Sequence, residues 1–520
     1  MMRMSAPAVK QPFVWLTLIV ASLASFIVII DSSFLKVATT TLVTELHTTV
    51  SAIQGMLATY ALTVACLVLL GAKLQDIIGR KRVFLWGALI YGVGTVVSAL
   101  SINALMLFAG WALLEGIGSA LMLPATAALI SSAYVDDRRA FAFGLWTAIG
   151  ATAATVGPLF GGLFTTFLSW RAGFGLEAAI IVLLFTLARQ LSESPPVAPW
   201  RDLDLAGFGL SAAGFFLVVD GMLALVNPNA WASVPALVVA GLLLLAVFAL
   251  WQHRRIRRGQ VPLTDITLFR ARAYSAGNLA NLILRLALAG GLFILPAFLQ
   301  VVTGASAFMT GVALIPLTAA LLIFSLGSAR LSRHLSPRIL VPLGFLIALS
   351  GSVLLRGVFN LNTQIPDIFP GTALIGVGIG VGLGPLNNVI LSSAPKAKQA
   401  DASGVLNATT KLGASLGAAV IGAVLIVSIY SALGAAVEKA HPEYVTAQVN
   451  ARVNTLKTSN LQVVKAEQNG TTQVASEMIS SAMRHAVDGI SLFLFGGFVC
   501  SLFIGRQARF ATDAPVPGNS

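Results

Sequence analysis

The feature that most constrains this chain is its division into fourteen apolar stretches, each long enough to cross a lipid bilayer. A transmembrane helix needs about 20 consecutive apolar residues, because the hydrocarbon core of a bilayer is about 30 Å thick. The stretches therefore predict an all-α membrane protein with fourteen transmembrane helices. The predicted spans are 13–38, 52–71, 83–100, 104–133, 141–168, 172–190, 203–226, 233–251, 273–302, 309–329, 339–359, 369–394, 402–436 and 486–505.

Composition supports the same conclusion. Apolar residues make up 57% of the chain and charged residues only 10%, whereas soluble globular proteins carry about 25% charged residues. A surface of this kind cannot face water, which excludes a soluble enzyme, a secreted scaffold and a disordered protein. Cys66 and Cys500 lie in apolar stretches and the five histidines are scattered. We therefore expect no disulfide framework, no metal site and no cofactor.

The distribution of positive charge orients the chain. With the N-terminus inside, 23 of the 33 lysines and arginines fall in cytoplasmic segments and six fall outside. Cytoplasmic loops carry an excess of these residues, so the net charge of +13 reflects topology, and no nucleic-acid partner is expected. The first span follows Arg3 and Lys10, but it is too long for a signal peptide and lacks a cleavage pattern. We expect a retained first span and two cytoplasmic termini.

Two segments interrupt the run of spans. The linker after the sixth span contains Pro195, Pro196 and Pro199, which marks a boundary. The outer loop 437–485 is polar and rich in helix formers, and it predicts either a small helical cap or a disordered loop.

Nucleotide binding is not expected. The sequence contains no Gly-x4-Gly-Lys-Ser/Thr phosphate loop, so ATP hydrolysis within this chain is not predicted. Gly376, Gly380 and Gly384 lie inside a span at four-residue spacing. We interpret them as a face of small residues that lets two helices pack closely, rather than as a dinucleotide motif.

A charged turn follows the second span and contains Leu74, Asp76, Gly79, Arg80 and Lys81. Gly79 permits the reversal, and Asp76 can cap a helix or pair with an arginine and so lock two helices together. A simple positive-inside anchor is the plainer interpretation. The order of these residues nevertheless resembles the loop signature of the major facilitator superfamily. That signature usually has glycine where this chain has alanine at position 72, so we expect weakened packing there.

The fifth span carries Gly150, Gly157, Pro158, Gly161 and Gly162. Gly150, Gly157 and Gly161 share one helical face. Pro158 removes a backbone donor and bends the helix. Ordinary packing of small residues would explain the face alone. With the proline it resembles the antiporter signature of the superfamily, which implies export, although alanine 153 replaces the first glycine of that signature.

The resemblance covers nearly the whole chain and implies the fourteen-helix drug:proton antiporter branch of the superfamily. Spans one to six and nine to fourteen would form two six-helix halves, with spans seven and eight inserted between them. The implied division is an N-terminal half 1–190, a linker with two inserted helices and a basic cytoplasmic loop 191–272, a C-terminal half 273–505 that includes loop 437–485, and a cytoplasmic tail 506–520.

Ionisable residues inside the spans are functional candidates, because a charge at bilayer depth costs about 2.5–3.5 kcal/mol on insertion scales. Asp31 lies in the outer half of span one, and Lys36 follows five residues later, about 140° around the helix, so the two need not pair. The segment resembles the Asp-x-Thr-x-x-Asn pattern of the superfamily, with Lys36 at the asparagine position. Asp31 is a candidate for proton coupling, and both residues are candidates for the substrate cavity. A structural hydrogen bond is the alternative for Asp31.

Glu115 lies near the middle of span four. The superfamily pattern there is Arg-x-x-Gln-Gly-x-Gly-x-Ala, and this chain has Ala112 for the arginine and Glu115 for the glutamine. The span thus still contains a protonatable group, but its charge is opposite to that of the arginine in the superfamily pattern. Glu115 is therefore the second proton-coupling candidate. Trp111, Glu115 and Met122 share a face that would suit a lipophilic cation. Alternatively, Glu115 neutralises Arg285.

The second half offers its own cavity candidates. Asn278, Asn281 and Arg285 lie at i, i+3 and i+7 of span nine, so one polar face points to the bundle interior. In the two-half arrangement spans one, four, nine and twelve line the cavity, and Asn387 and Asn388 would contribute from span twelve.

Two other ionisable residues receive plainer interpretations. Lys411 is expected to snorkel towards the cytoplasmic end of span thirteen as a gate contact. Glu177 lies towards an outer end and is interpreted as an interfacial or pairing residue.

Together these features predict a proton-coupled antiporter, not an enzyme, that exports lipophilic drugs or biocides by alternating access of the two halves. A proton entering from outside would neutralise Asp31 or Glu115 and weaken substrate binding. Moving one charge across 100 mV supplies about 2.3 kcal/mol, enough to bias such a cycle. The expected partners are a small lipophilic substrate, protons and the bilayer of the plasma (cell inner) membrane.

Three alternatives stay open at the sequence level. The substrate could be an endogenous amphiphile such as a lipid or siderophore, and its charge is not readable. From a different class, the chain could be a channel or a membrane sensor. A periplasmic adaptor is compatible with export, but no motif indicates one.

Overall fold

The computed structural model describes residues 15–504 except 135, 192, 194–195, 197–198, 225–227, 302–303, 333, 361–362, 396–397 and 441–471. Within this part the chain is helical and has no strand. Its α-helices are α1 (Trp15–Glu45), α2 (Val50–Ile78), α3 (Arg80–Ala99), α4 (Ala104–Leu107), α5 (Gly116–Ala133), α6 (Asp136–Phe167), α7 (Trp170–Ala188), α8 (Leu205–Ala224), α9 (Val234–Arg257), α10 (Arg272–Val301), α11 (Ala307–Ala313), α12 (Ile315–Leu331), α13 (Pro337–Val358), α14 (Phe369–Ser392), α15 (Gln399–Ala440) and α16 (Thr472–Leu502).

The predicted membrane architecture is confirmed. Thirteen helical segments of the described chain are long and apolar enough to cross a membrane, and α6 adds a shorter apolar segment, Val156–Phe167. The chain breaks between α6 and α7 where the sequence placed the boundary, because Ser169 caps α7 by accepting a hydrogen bond from the backbone N–H of Arg171. The outer loop 437–485 is helical at both ends, in α15 and α16, and its part 441–471 lies outside the described residues.

Two large hydrophobic clusters hold the helices together. One is built from residues between 20 and 191, with Trp111, Trp170 and Tyr91 among its buried members. The other is built from residues between 268 and 504. Buried apolar area is the main source of packing between soluble helices, whereas close van der Waals contact takes that role in lipid. The exact boundaries of the two halves and of the segment between them stay predictions.

The pair α8–α9 is fastened at its cytoplasmic end by one buried acid. The Asp204 carboxylate accepts hydrogen bonds from Trp251 Nε1 at 3.0 Å and Gln252 Nε2 at 2.8 Å, and it lies 3.5 Å from Arg255 Nε. Gln252 Oε1 in turn accepts from the backbone N–H of Leu263 at 2.9 Å. A buried carboxylate is tolerated when several donors satisfy it, and here those donors fix the start of α8 against the end of α9.

In the charged turn after α2, the glycine permits the reversal of the chain and two cations bind backbone carbonyls of neighbouring segments. Gly79 has φ of +107°, a conformation that side chains disfavour. Arg80 Nη1 donates to the carbonyl of Ala128 at 3.2 Å, and Lys81 Nζ donates to two carbonyls just beyond the C-terminal end of α7. Cations at helix C-terminal ends are favourable. Asp76 forms no ion pair within the described part of the chain, so the expected locking pair is not made in this conformation.

The glycine face predicted in span twelve packs as expected. A Cβ at Gly380 would lie 2.8 Å from the carbonyl oxygen of Leu321, and one at Gly376 would overlap the carbonyl of Leu317. These glycines therefore let α14 approach the backbone of α12 directly, which is the small-residue mode of helix association in membranes.

Candidate functional site

Asp31 is held inside the first half by a tryptophan. Its carboxylate is fully buried, and both oxygens accept from Trp111 Nε1, at 2.8 and 2.9 Å. The two residues are 80 positions apart in sequence, so the contact joins α1 to the segment that follows α4. One N–H shared between the two oxygens fills only part of the acceptor capacity of a carboxylate.

A π-helical segment, Phe108–Glu115, separates α4 from α5 and carries both Trp111 and Glu115. The π-helix is rare and occurs mostly as short insertions at functional sites, and its wider turn keeps residues four apart on nearly one face. Ser98 Oγ of α3 donates to Glu115 Oε1 at 3.1 Å. Gly94 makes room for this approach, because a Cβ there would lie 2.8 Å from Glu115 Cγ. The sequence gives no direct signal for the π-helical turn.

Glu177 of α7 completes a cluster of three carboxyls. One oxygen each from Asp31, Glu115 and Glu177 lies within 4.8 Å of the others, and all three residues are buried. We call this set the acid cluster. The interpretation of Glu177 as interfacial is wrong. Its face could have been read from the sequence, since it follows the buried Trp170 and Phe174 at helical spacing.

The acid cluster is polar but incompletely satisfied. Within the described residues, Glu115 Oε2, Glu177 Oε2 and the Tyr91 hydroxyl are buried without a hydrogen-bond partner. No ion pair among those residues involves the three carboxyls. Three charged carboxylates in an apolar interior would be prohibitively costly. The arrangement therefore needs protons or a cation to neutralise it. The three carboxyl oxygens are also close enough to coordinate a hard metal ion. The sequence predicted no metal site, and no observation assigns a metal to this cluster.

An aromatic pair links the acid cluster to the second half. The rings of Tyr60 and Trp111 are stacked, with centroids 5.0 Å apart and planes 2° from parallel. The Tyr60 hydroxyl forms a 2.9 Å hydrogen bond with Ser119 Oγ. On the other side, Lys411 Nζ of α15 lies 5.7 Å from the centroid of the Tyr60 ring. Lys411 thus reaches across to the first half, and the prediction that it snorkels towards the cytoplasm is wrong.

The two asparagines of α10 tie helices together. Asn281 Nδ2 donates to the hydroxyls of Thr409 at 3.3 Å and Thr410 at 3.0 Å, and the Thr409 hydroxyl donates to Asn278 Oδ1 at 3.3 Å. Their predicted interior orientation holds, but their contacts are with α15. They bind the helices of the second half to one another, and none of their hydrogen bonds among the described residues involves the acid cluster.

Arg285 is separate from Glu115. No described ion pair joins them, so the alternative that Glu115 neutralises Arg285 is wrong for this conformation. Arg285 lies beside α15, where a Cβ on Gly413 would be 2.9 Å from its own Cβ. Its Nε is buried without a partner among the described residues. It lies at the middle of α10, at the depth expected from the sequence.

The remaining cavity candidates are dispersed. Met122 is buried against Gly87 of α3, two turns beyond Glu115. Asn387 is half-buried, with its amide oxygen unpartnered in the described part of the chain, and Asn388 is exposed. Lys36 lies in α1, but its side chain is outside the described residues.

The antiporter-like face of α6 packs on α1 around Asp31. A Cβ at Gly157 would lie 2.5 Å from Ser33 Cβ, one at Gly161 would lie 2.7 Å from the Phe34 carbonyl, and one at Gly150 would lie 3.1 Å from an Ile29 methyl. Gly162 is also buried.

The opposite side of α6 meets the second half. A Cβ at Gly311 of α11 would lie 2.6 Å from the carbonyl oxygen of Pro158. The helix α6 thus contacts both α1 beside Asp31 and α11 of the second half, so a movement between the halves must change at least one of these two contacts.

Comparison with known proteins agrees with this architecture. The sequence profile described as Major Facilitator Superfamily matches residues 21–418. The methylenomycin A resistance protein of Bacillus subtilis is 29% identical over 415 residues, which are 79% of this chain and 87% of that protein. The multidrug resistance protein Stp of Mycobacterium tuberculosis is 28% identical over 84% of this chain and 81% of its own length. The cephamycin export protein CmcT of Amycolatopsis lactamdurans is 29% identical over 78% of this chain and 83% of its own length.

Solved structures share the fold. A bacterial homolog of the human lysosomal transporter Spinster, in an inward-facing and unoccupied conformation, aligns with a TM-score of 0.62 at 17% identity over 95% of this chain and 98% of that one. The fold, the helix count and the extent of the profile match lead to one conclusion. This chain is a multi-pass membrane protein that belongs to the Major Facilitator Superfamily of transporters.

Proposed function

We propose that this transporter exports lipophilic drugs or biocides across the cell inner membrane in exchange for protons. Its relatives carry names of drug resistance and antibiotic export, and α6 bears the antiporter-like pattern. The substrates we expect are small and lipophilic, since an apolar cavity with few polar groups selects weakly.

The observation that carries the proposal is the acid cluster. Asp31, Glu115 and Glu177 come from three different parts of the first half and converge within 4.8 Å in the membrane interior. Carboxyls this close cannot all ionise unless a positive charge joins them. Such a cluster binds protons when no cation is present and releases them when another group neutralises it, which is the competition that exchange requires.

The proposed cycle uses this competition. A proton from outside neutralises Asp31 or Glu115, the bound substrate loses affinity, and the two halves rearrange to return the empty site to the cytoplasmic side. The position of α6, between the support of Asp31 and α11, suits it to relay the state of the cluster to the contact between halves.

The test is substrate-dependent proton movement in proteoliposomes. A thermal-shift screen against cationic and anionic lipophiles first supplies a ligand, and an internal pH dye then reports proton flux when that ligand is added. We expect Asp31→Asn and Glu115→Gln to lose the flux. Asp220→Asn in α8 is the matched control, since it removes an acid from another span. Full coupling in both site variants would remove these residues from the mechanism.

A second candidate is export of a compound that the cell itself makes. The name of CmcT assigns that relative to cephamycin export, which favours considering an endogenous amphiphile here. A resistance profile of a deletion strain, compared with the metabolites it retains, separates the two: drug sensitivity alone supports the first, and an accumulated amphiphile supports the second.

A further inference from the structure

The two halves contribute opposite charges to one place in the membrane interior. The first half supplies the acid cluster. The second half supplies Lys411, whose ammonium lies 5.7 Å from the centroid of the Tyr60 ring; Tyr60 stacks on Trp111, and Trp111 donates to Asp31. The second half thus places a cation beside the aromatic pair that contacts Asp31.

We propose that Lys411 is a resident cation of the transport site, which competes with protons and with substrate for the acid cluster. In the absence of both, the ammonium neutralises part of the cluster's charge through Tyr60 and Trp111 and joins the two halves. Binding of a cationic group, or of protons, makes that charge redundant and releases the lysine. This role rests on the proposed exchange of substrate for protons.

The aromatic geometry supports the role. A cation over an aromatic face is attracted most strongly when desolvated, and Tyr60 is buried. The Trp111 ring is stacked on the Tyr60 ring, and the Trp111 N–H points at Asp31. Ionisation of Asp31 polarises this N–H and makes the rings better acceptors for the ammonium, since neighbouring polar contacts strengthen one another at low dielectric.

Few charged groups lie near Asp31 among the described side chains, which do not include that of Lys36. The titratable groups near it in that set are the carboxyls of Glu115 and Glu177 of α7, the hydroxyls of Tyr91 of α3 and Tyr60 of α2, and the ammonium of Lys411 of α15 beyond the Tyr60 ring. Lys411 is the one cation in this described set. Arg285, the other buried cation of the second half, lies against α15 at Gly413.

Competition makes a specific prediction about substrate binding. Removing the ammonium should tighten the binding of a cationic ligand once the carboxyls are ionised, because the ligand no longer displaces a resident charge. It should also let protons compete at higher pH, because a nearby cation opposes protonation of a carboxylate. A lysine that only packs the helix would produce neither change.

The experiment measures tetraphenylphosphonium binding to full-length protein in nanodiscs as a function of pH. For Lys411→Met we expect the affinity at the alkaline plateau to rise about three- to tenfold, and the pH midpoint of binding to move upward. Lys411→Arg should stay close to wild type. Lys398→Met, which removes a lysine from the cytoplasmic loop before α15, is the matched control.

The outcomes separate this role from the proposed exchange. Wild-type binding that does not depend on pH contradicts the exchange itself. Wild-type binding that depends on pH, with an unchanged plateau and midpoint in Lys411→Met, overturns the role of the lysine alone. If Lys411→Met does not yield monodisperse protein, Lys411→Gln is measured in the same way. Tyr60→Leu removes the ring and is expected to shift the plateau affinity and the pH midpoint in the same direction as Lys411→Met.

Discussion

The interiors of the two halves are built from different chemistry, although the same small-residue packing holds both together. In the first half, α1, the π-helical segment and α7 bring three carboxyls into one buried cluster. In the second half, Asn278 and Asn281 of α10 are used for hydrogen bonds to α15. The nearby core is apolar. Pseudo-symmetric halves thus need not share the chemistry of transport.

The difference suggests a division of labour. In the proposed exchange, the first half carries the groups that take up and release protons. In the same proposal, the second half contributes Lys411 as a cation, and its helices move relative to the acid cluster. If this comparison is right, variants that neutralise acids of the first half should abolish coupling, while variants in the polar contacts of the second half should affect stability.

The largest effect is expected for Glu177→Gln. The substitution keeps the shape of the side chain and removes the third carboxyl, so we expect coupled efflux to fall at least about tenfold, equivalent to about 1.4 kcal/mol in the cycle. Proton flux in proteoliposomes is the measurement. Arg285→Gln sharpens the comparison, because an equal loss of coupling there would show that both halves carry the chemistry.

Trp111→Phe should lower the maximal efflux rate less than Glu177→Gln does, and its specific signature should be a shift of the pH profile. Phenylalanine keeps the stack on Tyr60 but loses the N–H that Asp31 accepts. A hydrogen bond to a charged group contributes about 1.5–3 kcal/mol, so its loss should favour the protonated acid and move the pH midpoint of transport upward by about one to two units. An unchanged pH profile, with only a lower rate, would reduce Trp111 to a packing residue.

Asn281→Leu tests the second half directly. It removes two hydrogen bonds between α10 and α15, and hydrogen bonds between membrane helices average about 0.6 kcal/mol. We expect the melting temperature in detergent to fall by a few degrees while the ratio of protons to substrate stays constant. A changed ratio would place the asparagine in the coupling machinery and break the comparison.

The smallest effect is expected outside the membrane, at Asp265 in the loop before α10. Partial burial opposes its ionisation, but hydrogen bonds from Lys398 and Thr267 outweigh that and lower the pKa of the Asp265 carboxyl below its usual value. Its stabilising contribution is therefore present above the unfolded pKa of about 3.9. That contribution is lost as the pH falls through the lower pKa of the folded protein.

The size of this contribution is set by solvent exposure. The Lys398 side chain is 41% exposed, and exposed ion pairs contribute at most about 1 kcal/mol. Thermal unfolding of Asp265→Asn and wild type at neutral pH should differ slightly, and the difference should vanish in strong acid. A difference that persists in acid would point to another cause.

The spans and their order were predictable because apolar stretches of membrane length leave few alternatives. The glycine faces of α6 and α14 were predictable for the same reason, since helical spacing places their residues on one side. The contact of Asp31 with Trp111 was not, because it depends on how two distant spans pack. Glu115 was singled out as a costly buried acid, but its place in the cluster depends on a π-helical turn.

Lys411 and Glu177 show why the plainer interpretations failed. A lysine on an isolated helix lowers its free energy by reaching for water, and only the acids and rings of the other half make the interior favourable for it. Glu177 near the end of a span resembles an interfacial residue until α7 is seen to direct its buried face at α1. Both errors come from judging one helix at a time.

The most direct test of the acid cluster is the number of protons released when substrate binds to purified protein in a weakly buffered nanodisc sample. Wild type is predicted to release protons into solution on ligand addition, as a pH dye reports. The triple variant Asp31→Asn, Glu115→Gln, Glu177→Gln is predicted to bind more weakly and, at ligand concentrations raised to saturate it, to release no protons. Equal release by the two proteins would contradict the account, because the exchanged protons would then come from elsewhere in the molecule.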